Sequence, residues 1–124
     1  MPLKGIRGAA GVTSNTRADI LQATTELLLE MIRRNGFRPD QVIAALFTLT
    51  PDLNAAFPAA AARAIGWTDV PLMCAQEIPV PDARSSIVRV LLLVEGIDSV
   101  QPVYLGAARS LRPDLAQNLT EGLS

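Results

Sequence analysis

Among the residues that could do chemistry, one arginine is set in surroundings that give it nothing to pair with. Arg89 lies inside SIVRVLLLVEG (Ser86 to Gly96), a run of β-branched and aliphatic residues that reads as a core strand. Period-two alternation puts Ile87, Arg89, Leu91 and Leu93 on one face and Val88, Val90, Leu92 and Val94 on the other. A guanidinium is always charged, and burying it among apolar side chains is costly unless an anion meets it. Two kinds of anion answer that need. One is a structural carboxylate, from Glu77, Glu95 or Asp98. The other is an anionic ligand, or a transition state that develops negative charge. The rest of the chain narrows the chemistry further, because it contains no histidine. Ser-His-Asp and Cys-His nucleophilic centres are excluded, as is every histidine-based metal site. The single cysteine, Cys74, forms no internal disulfide and no thiolate zinc site. Gly5, Gly8 and Gly11 in GIRGAAG have the wrong spacing for a dinucleotide loop, and no Walker loop occurs. An enzyme built from this chain must work without the usual acid–base centre.

The elements that position Arg89 have to fit in 124 residues, enough for one domain. A net charge of -1 with scattered basic residues argues against nucleic acid as a partner. No apolar run is long enough to span a membrane, and MPLKGIRG lacks the core of a signal peptide. One unpaired cysteine suits a reducing cytoplasm. The composition is 49% hydrophobic but only 4% aromatic, more aliphatic surface than so small a body can hide. Association through a sheet or barrel face is the expected outlet.

Leu3 to Val12 reads as a first strand with a closely approached, glycine-rich backbone. Thr16 and Asp19 resemble a capping box, and the stripe Ile20, Leu21, Thr24, Leu27, Leu28, Met31, Ile32 predicts an amphipathic helix that Asn35-Gly36 closes. Val42 to Leu49 is continuously apolar and predicts a strand buried on both faces. TPDL (Thr50 to Leu53) is a turn, and Pro58 opens a short Ala-rich helix that ends at Gly66. Val70 to Glu77 predicts a third strand and IPVPDARS a proline-punctuated loop. Ser86 to Glu95 is a fourth strand and Val103 to Leu111 a fifth, followed by a polar tail. The order β-α-β-α-β-β-β predicts an α+β fold: a mixed β-sheet covered by helices on one face, the other face packing against copies of itself.

GIRGA, TPDLNAAFPAAAAR, VPLMCAQE, IVRV and VYLGAARSLRPDL occur in an order that resembles the monofunctional chorismate mutases of the AroH class. The resemblance covers nearly the whole chain. It implies a homotrimeric pseudo-α/β-barrel with active sites in clefts between subunits, and residues 112–124 as a mobile tail. It also implies the Claisen rearrangement of chorismate to prephenate, on the way to phenylalanine and tyrosine, with no cofactor and no metal. That reaction makes and breaks bonds within one molecule and moves no proton, which suits a chain without histidine. What remains is to hold a flexible dicarboxylate in its compact reactive shape and to stabilise charge growing on the ether oxygen.

Matched residue by residue, the resemblance implies catalytic roles for Arg89, Arg7, Glu77 and Tyr104. Arg89 meets the breaking ether oxygen, Arg7 lies near that oxygen and a carboxylate, Tyr104 binds a carboxylate and Glu77 the ring hydroxyl. Phe57, Arg63, Met73, Cys74, Leu111 and Arg112 would contact the substrate, Cys74 through its backbone because its strand parity opposes that of Glu77. The chain departs from its relatives at Met73, where threonine is common, and at Ala60, where lysine occurs. Plainer roles stand beside these. Arg7, Arg63 and Arg112 could be solvated charges, Tyr104 a core ring, Cys74 a small hydrophobe and Glu77 merely the partner of Arg89. Two other functions stand as alternatives: a non-catalytic trimeric dicarboxylate-binding protein that keeps the arginine cleft, and a hydrolase of the reactive-imine deaminase type, for which Glu77 is the one clear base.

Overall fold

Thr16 starts the long helix as its sequence requires. Its hydroxyl accepts the Asp19 N–H at 3.2 Å, and Gly36, at φ 66°, ends the helix with its N–H on the Ile32 carbonyl. The computed structural model describes residues 2–114. In chain order it contains β1 (Leu3–Gly11), α1 (Arg17–Asn35), a 3-10 turn (Pro39–Gln41), β2 (Val42–Leu49), α2 (Ala59–Ala64), β3 (Leu72–Gln76), β4 (Ile87–Glu95), β5 (Val103–Leu105) and a second 3-10 turn (Gly106–Ser110). The strands form one mixed sheet in the order β3-β2-β4-β1-β5. β4 runs antiparallel to β1 and β2, while β3 and β5 pair in parallel at the edges.

Both helices cover the same face. Ile20, Leu27, Leu28 and Met31 of α1 are fully buried against Ile6, Phe47, Val88, Leu92 and Val94 of the sheet. The approach is close at Gly8, where an added Cβ would fall 2.6 Å from Met31 Sδ. A side chain there would have to displace the ends of Met31 and Leu27, in keeping with the closely approached backbone that the first strand's sequence suggested. Asn35 ties the end of α1 to the segment before β5, its amide donating to the Gln101 carbonyl at 3.0 Å and accepting the Gln101 N–H. Phe37 and Trp67 meet edge to face, 6.2 Å between centroids, and close one end of the core.

The opposite face of the sheet is covered only where Ala9, Ile87 and Tyr104 pack under Ala108 and Leu111, and is otherwise open. Leu46, Leu91 and Leu93 are 36%, 45% and 36% exposed, and Met73 is 66% exposed. This corrects two expectations. β2 is buried on one face only within the chain, since Ile43 and Leu46 stand in the open. Arg89, which shares the open face with Leu91, is likewise exposed within the chain. A third expectation also fails. The fifth strand stops at Leu105 because Gly106, at φ 58°, turns the chain into a 3-10 helix that packs beside β1. β3 is shorter than Val70 to Glu77 by two residues at its start and one at its end.

The TPDL turn is fastened to the start of β4. Asp52 accepts the Ser86 N–H and hydroxyl, each at 3.0 Å, and Thr50 exchanges hydrogen bonds with the Ile87 backbone. Burial alone would raise the Asp52 carboxyl, but the bonds from Thr50 and Ser86 outweigh it and hold the group below its ordinary value. A depressed carboxylate contributes stability above its unfolded pKa, about 3.9, and loses it as pH falls through the folded value. Asp52→Asn should therefore melt at a lower temperature than the parent at pH 7. The gap should narrow on acidification below about pH 4, which thermal melts across that range would check. A gap that does not vary with pH would mean the carboxylate's charge contributes nothing.

Candidate functional site

The open face of the sheet assembles the site by strand register alone. Residues paired across a ladder point to the same side, so Thr48, Arg89, Ala9 and Tyr104 form one row across β2, β4, β1 and β5. One step along, Met73, Leu46, Leu91 and Arg7 form the next. The two arginines thus share a face, and with Thr48, Tyr104, Leu111 and Arg112 they line a cleft of about 520 Å³. That volume suits a small ligand.

Arg89 does have a structural carboxylate, and it is Glu77 rather than Glu95 or Asp98. Arg89 Nε donates to Glu77 Oε2 at 3.0 Å. Glu77 follows β3, its N–H on the Leu49 carbonyl, so its side chain reaches back over the open face. The same Oε2 also accepts the Thr48 hydroxyl at 2.7 Å. Only Nε of Arg89 is engaged among the described residues, and both terminal amino groups are left for an anion. The two answers to the opening question, structural partner and anionic ligand, are compatible because the guanidinium has separate edges for each.

Arg7 is exposed on β1 and forms no ion pair among the described residues. Tyr104 is only 5% exposed, its ring packed with Ala9, Ile87 and Ala108, with Leu111 against them. It is both a core ring and a residue of the cleft wall. Arg112, also on the wall, is bridged to Asp114 through Nε at 3.1 Å and Nη2 at 2.9 Å. The Arg112 hydrogen bond holds the Asp114 carboxyl below its usual range, with smaller help from the charges of Arg112 and Arg7. The tail beyond residue 114 lies outside the described residues.

The remaining expected site residues lie elsewhere in the same chain. Phe57 and Cys74 line a second cleft of about 420 Å³ on the helix side, together with Arg17 and Gln76. Phe57 is 73% exposed, an unusual state for phenylalanine. Its loop is held in place by Asn15, whose carbonyl accepts the N–H groups of Asn54 and Ala55 at 2.9 and 3.1 Å. Cys74 pairs with Phe47 and packs partly into the core, on the face opposite Met73. The parity argument that opposed Cys74 to Glu77 therefore holds. Met73 stands apart from both clefts in an apolar trough with Leu46, Leu91 and Leu93. Arg63 is exposed on α2 and lines neither cleft.

Thr48 and Arg17 are among the lining residues that escaped the sequence reading. Thr48 is the one hydroxyl in VIAALFTL, and strand parity sets it on the side of Leu46. Arg17 sits in the first turn of α1, where a cation opposes the helix dipole, a signal visible in the sequence.

With this geometry in hand, three comparisons bear on the chain. The family model described as chorismate mutase type I matches residues 3–115. The chain is 48% identical over 117 residues to chorismate mutase AroH of Thermus thermophilus, covering 91% of this chain and 96% of that protein. It is 41% identical over 120 residues to chorismate mutase AroH of Bacillus subtilis, covering 94% of each. Among solved structures, a chorismate mutase from Clostridium thermocellum superposes with a TM-score of 0.84 at 43% identity, covering 86% of this chain and 98% of that one. Neither the binding-protein nor the deaminase alternative draws support from these matches.

Proposed function

Because the chain belongs to the chorismate mutase type I family, we propose that its arginine cleft, completed by the Phe57 cleft of a neighbouring copy, is where it acts. The enzyme is a chorismate mutase, an isomerase that rearranges chorismate to prephenate for aromatic amino acid synthesis. The site assignment is carried by one observation above the rest. Arg7, Arg89 and Tyr104 share one sheet face, with the terminal amino groups of Arg89 unpaired among the described residues.

In this reading the free edge of Arg89 meets the ether oxygen as the C–O bond breaks. Preorganised donors aimed at developing charge lower the barrier without reorganising during the reaction. Arg7 and the Tyr104 hydroxyl hold carboxylate and oxygen, Arg112 exchanges Asp114 for a substrate carboxylate, and the second oxygen of Glu77 takes the ring hydroxyl. Together they select the compact conformer and convert a rare geometry into the bound one. Phe57, the Cys74 backbone and Arg63 close the site from the neighbouring subunit. Support for a homotrimer with shared sites comes from the bare apolar face and from the division of expected site residues between two clefts of one chain. A single domain with a tail from about residue 112 and a cytoplasmic home, consistent with one unpaired cysteine, complete the proposal. Among the described residues, no helix is long and apolar enough to cross a membrane.

Loss of the chorismate diene absorbance with stoichiometric appearance of prephenate tests the reaction. Ligand capture without loss of absorbance would overturn it. The pH profile gives a second check. With no histidine and no proton moved, kcat should be flat between about pH 6 and 9. A bell centred near neutrality in the folded protein would contradict a pericyclic mechanism.

A further inference from the structure

Arg89 can act on an ether oxygen only if its guanidinium plane is fixed, and the structure shows what fixes it. The Nε edge is held by Glu77 Oε2 at 3.0 Å. A carboxylate at the end of a glutamate is a weak anchor by itself, since its last torsion is broad and nearly two-fold. Here that torsion is pinned from the other side, by the Thr48 hydroxyl on the same Oε2 at 2.7 Å. Thr48 is well suited to this. It is level with Arg89 across β2 and β4 and with Ala75 across β2 and β3, so it sits in a strand that has a partner strand on each side. Its β-branch restricts χ1, and its one hydroxyl hydrogen is spent on Glu77.

We infer that Thr48 is a positioning residue for the rearrangement, holding Glu77 so that the terminal amino groups of Arg89 face the cleft. It acts through Glu77, not on the substrate. The inference rests on the role proposed above for Arg89.

The test is steady-state kinetics on Thr48→Val, which keeps the branched shape and removes the hydroxyl. Small misplacements of a catalytic group can cost up to about 10²-fold, so kcat should fall by about tenfold or more with KM changed less than about threefold. Thr48→Ser restores the hydroxyl without the methyl and should recover kcat to within about threefold of the parent. In a Glu77→Gln background the same valine substitution should add little, because the link it breaks is already weakened. Should the valine variant fail to fold, Thr48→Ala against Thr48→Ser makes the same comparison. Parent-like kcat in Thr48→Val, a serine variant as slow as valine, or a full additional loss in the Glu77→Gln background would each overturn the inference. Arg89→Ala is run beside them. If it turns over normally, the role of Arg89 falls and this inference with it. If it is impaired while Thr48→Val is not, only the inference about Thr48 falls.

Discussion

Arg89→Ala should leave a folded enzyme whose kcat is lower by about 10²–10³-fold, equivalent to roughly 3–4 kcal/mol of transition-state stabilisation. The residue projects from the open face of β4 and contributes nothing to the core under the helices, so the loss should not come from unfolding. It should fall on kcat and kcat/KM together, as for an interaction made mainly in the transition state. Arg89→Lys is the more informative partner experiment. Lysine keeps the charge, but it has no Nε–H edge to give Glu77 while a separate pair of amino groups faces the cleft. We expect it to be nearly as slow as alanine. Stopped or continuous assays at saturating chorismate would measure both. Turnover at the parent rate in either folded variant would remove Arg89 from the mechanism.

The second large effect is expected from the bare side of the sheet. Leu93 pairs with Gly5 and Ala44, lines the apolar trough with Leu46 and Met73, and touches neither candidate cleft. If that trough is where copies meet, Leu93→Asp places an unpaired carboxylate in each interface. Such a buried, uncompensated charge costs about 3–5 kcal/mol, enough to shift the assembly to monomers at micromolar concentration. Helix–sheet packing lies on the other face, so the monomer should keep its secondary structure. Activity should nonetheless vanish, because the arginine cleft and the Phe57 cleft of different copies would separate. Sedimentation read with turnover decides the matter. An active monomer would show that the site is not shared between copies, and an intact trimer with full activity would show that this face is not the interface.

Much of the local structure follows directly from residue type. Thr16, Asp19 and Gly36 mark the ends of α1 because capping depends only on side chains within one turn. β2 spans Val42–Leu49, the apolar run that Thr48 alone interrupts. The fifth strand was harder, since Val103 to Leu111 carries no proline or charge run to stop it before Arg109. What stops it is Gly106 in the left-handed region, together with a partner strand that ends at Gly11.

The candidate site divides in the same way. Composition and a two-residue period are enough to exclude histidine and thiolate centres, to show that Arg89 breaks an apolar strand, and to give Cys74 and Glu77 opposite parity. That the chemistry runs on arginines came from the family resemblance. Which carboxylate meets Arg89 is settled in three dimensions, because Glu77, Glu95 and Asp98 are all close enough in sequence and the sheet order β3-β2-β4 is what brings Glu77 across β2. The fold also sets Arg7, Arg89, Tyr104, Leu111 and Arg112 around one cleft and Phe57 and Cys74 around another, and leaves Arg89 exposed within the chain. Burial is a property of what packs against a strand. Alternation can say which residues share a face, but not whether this chain or another one covers it.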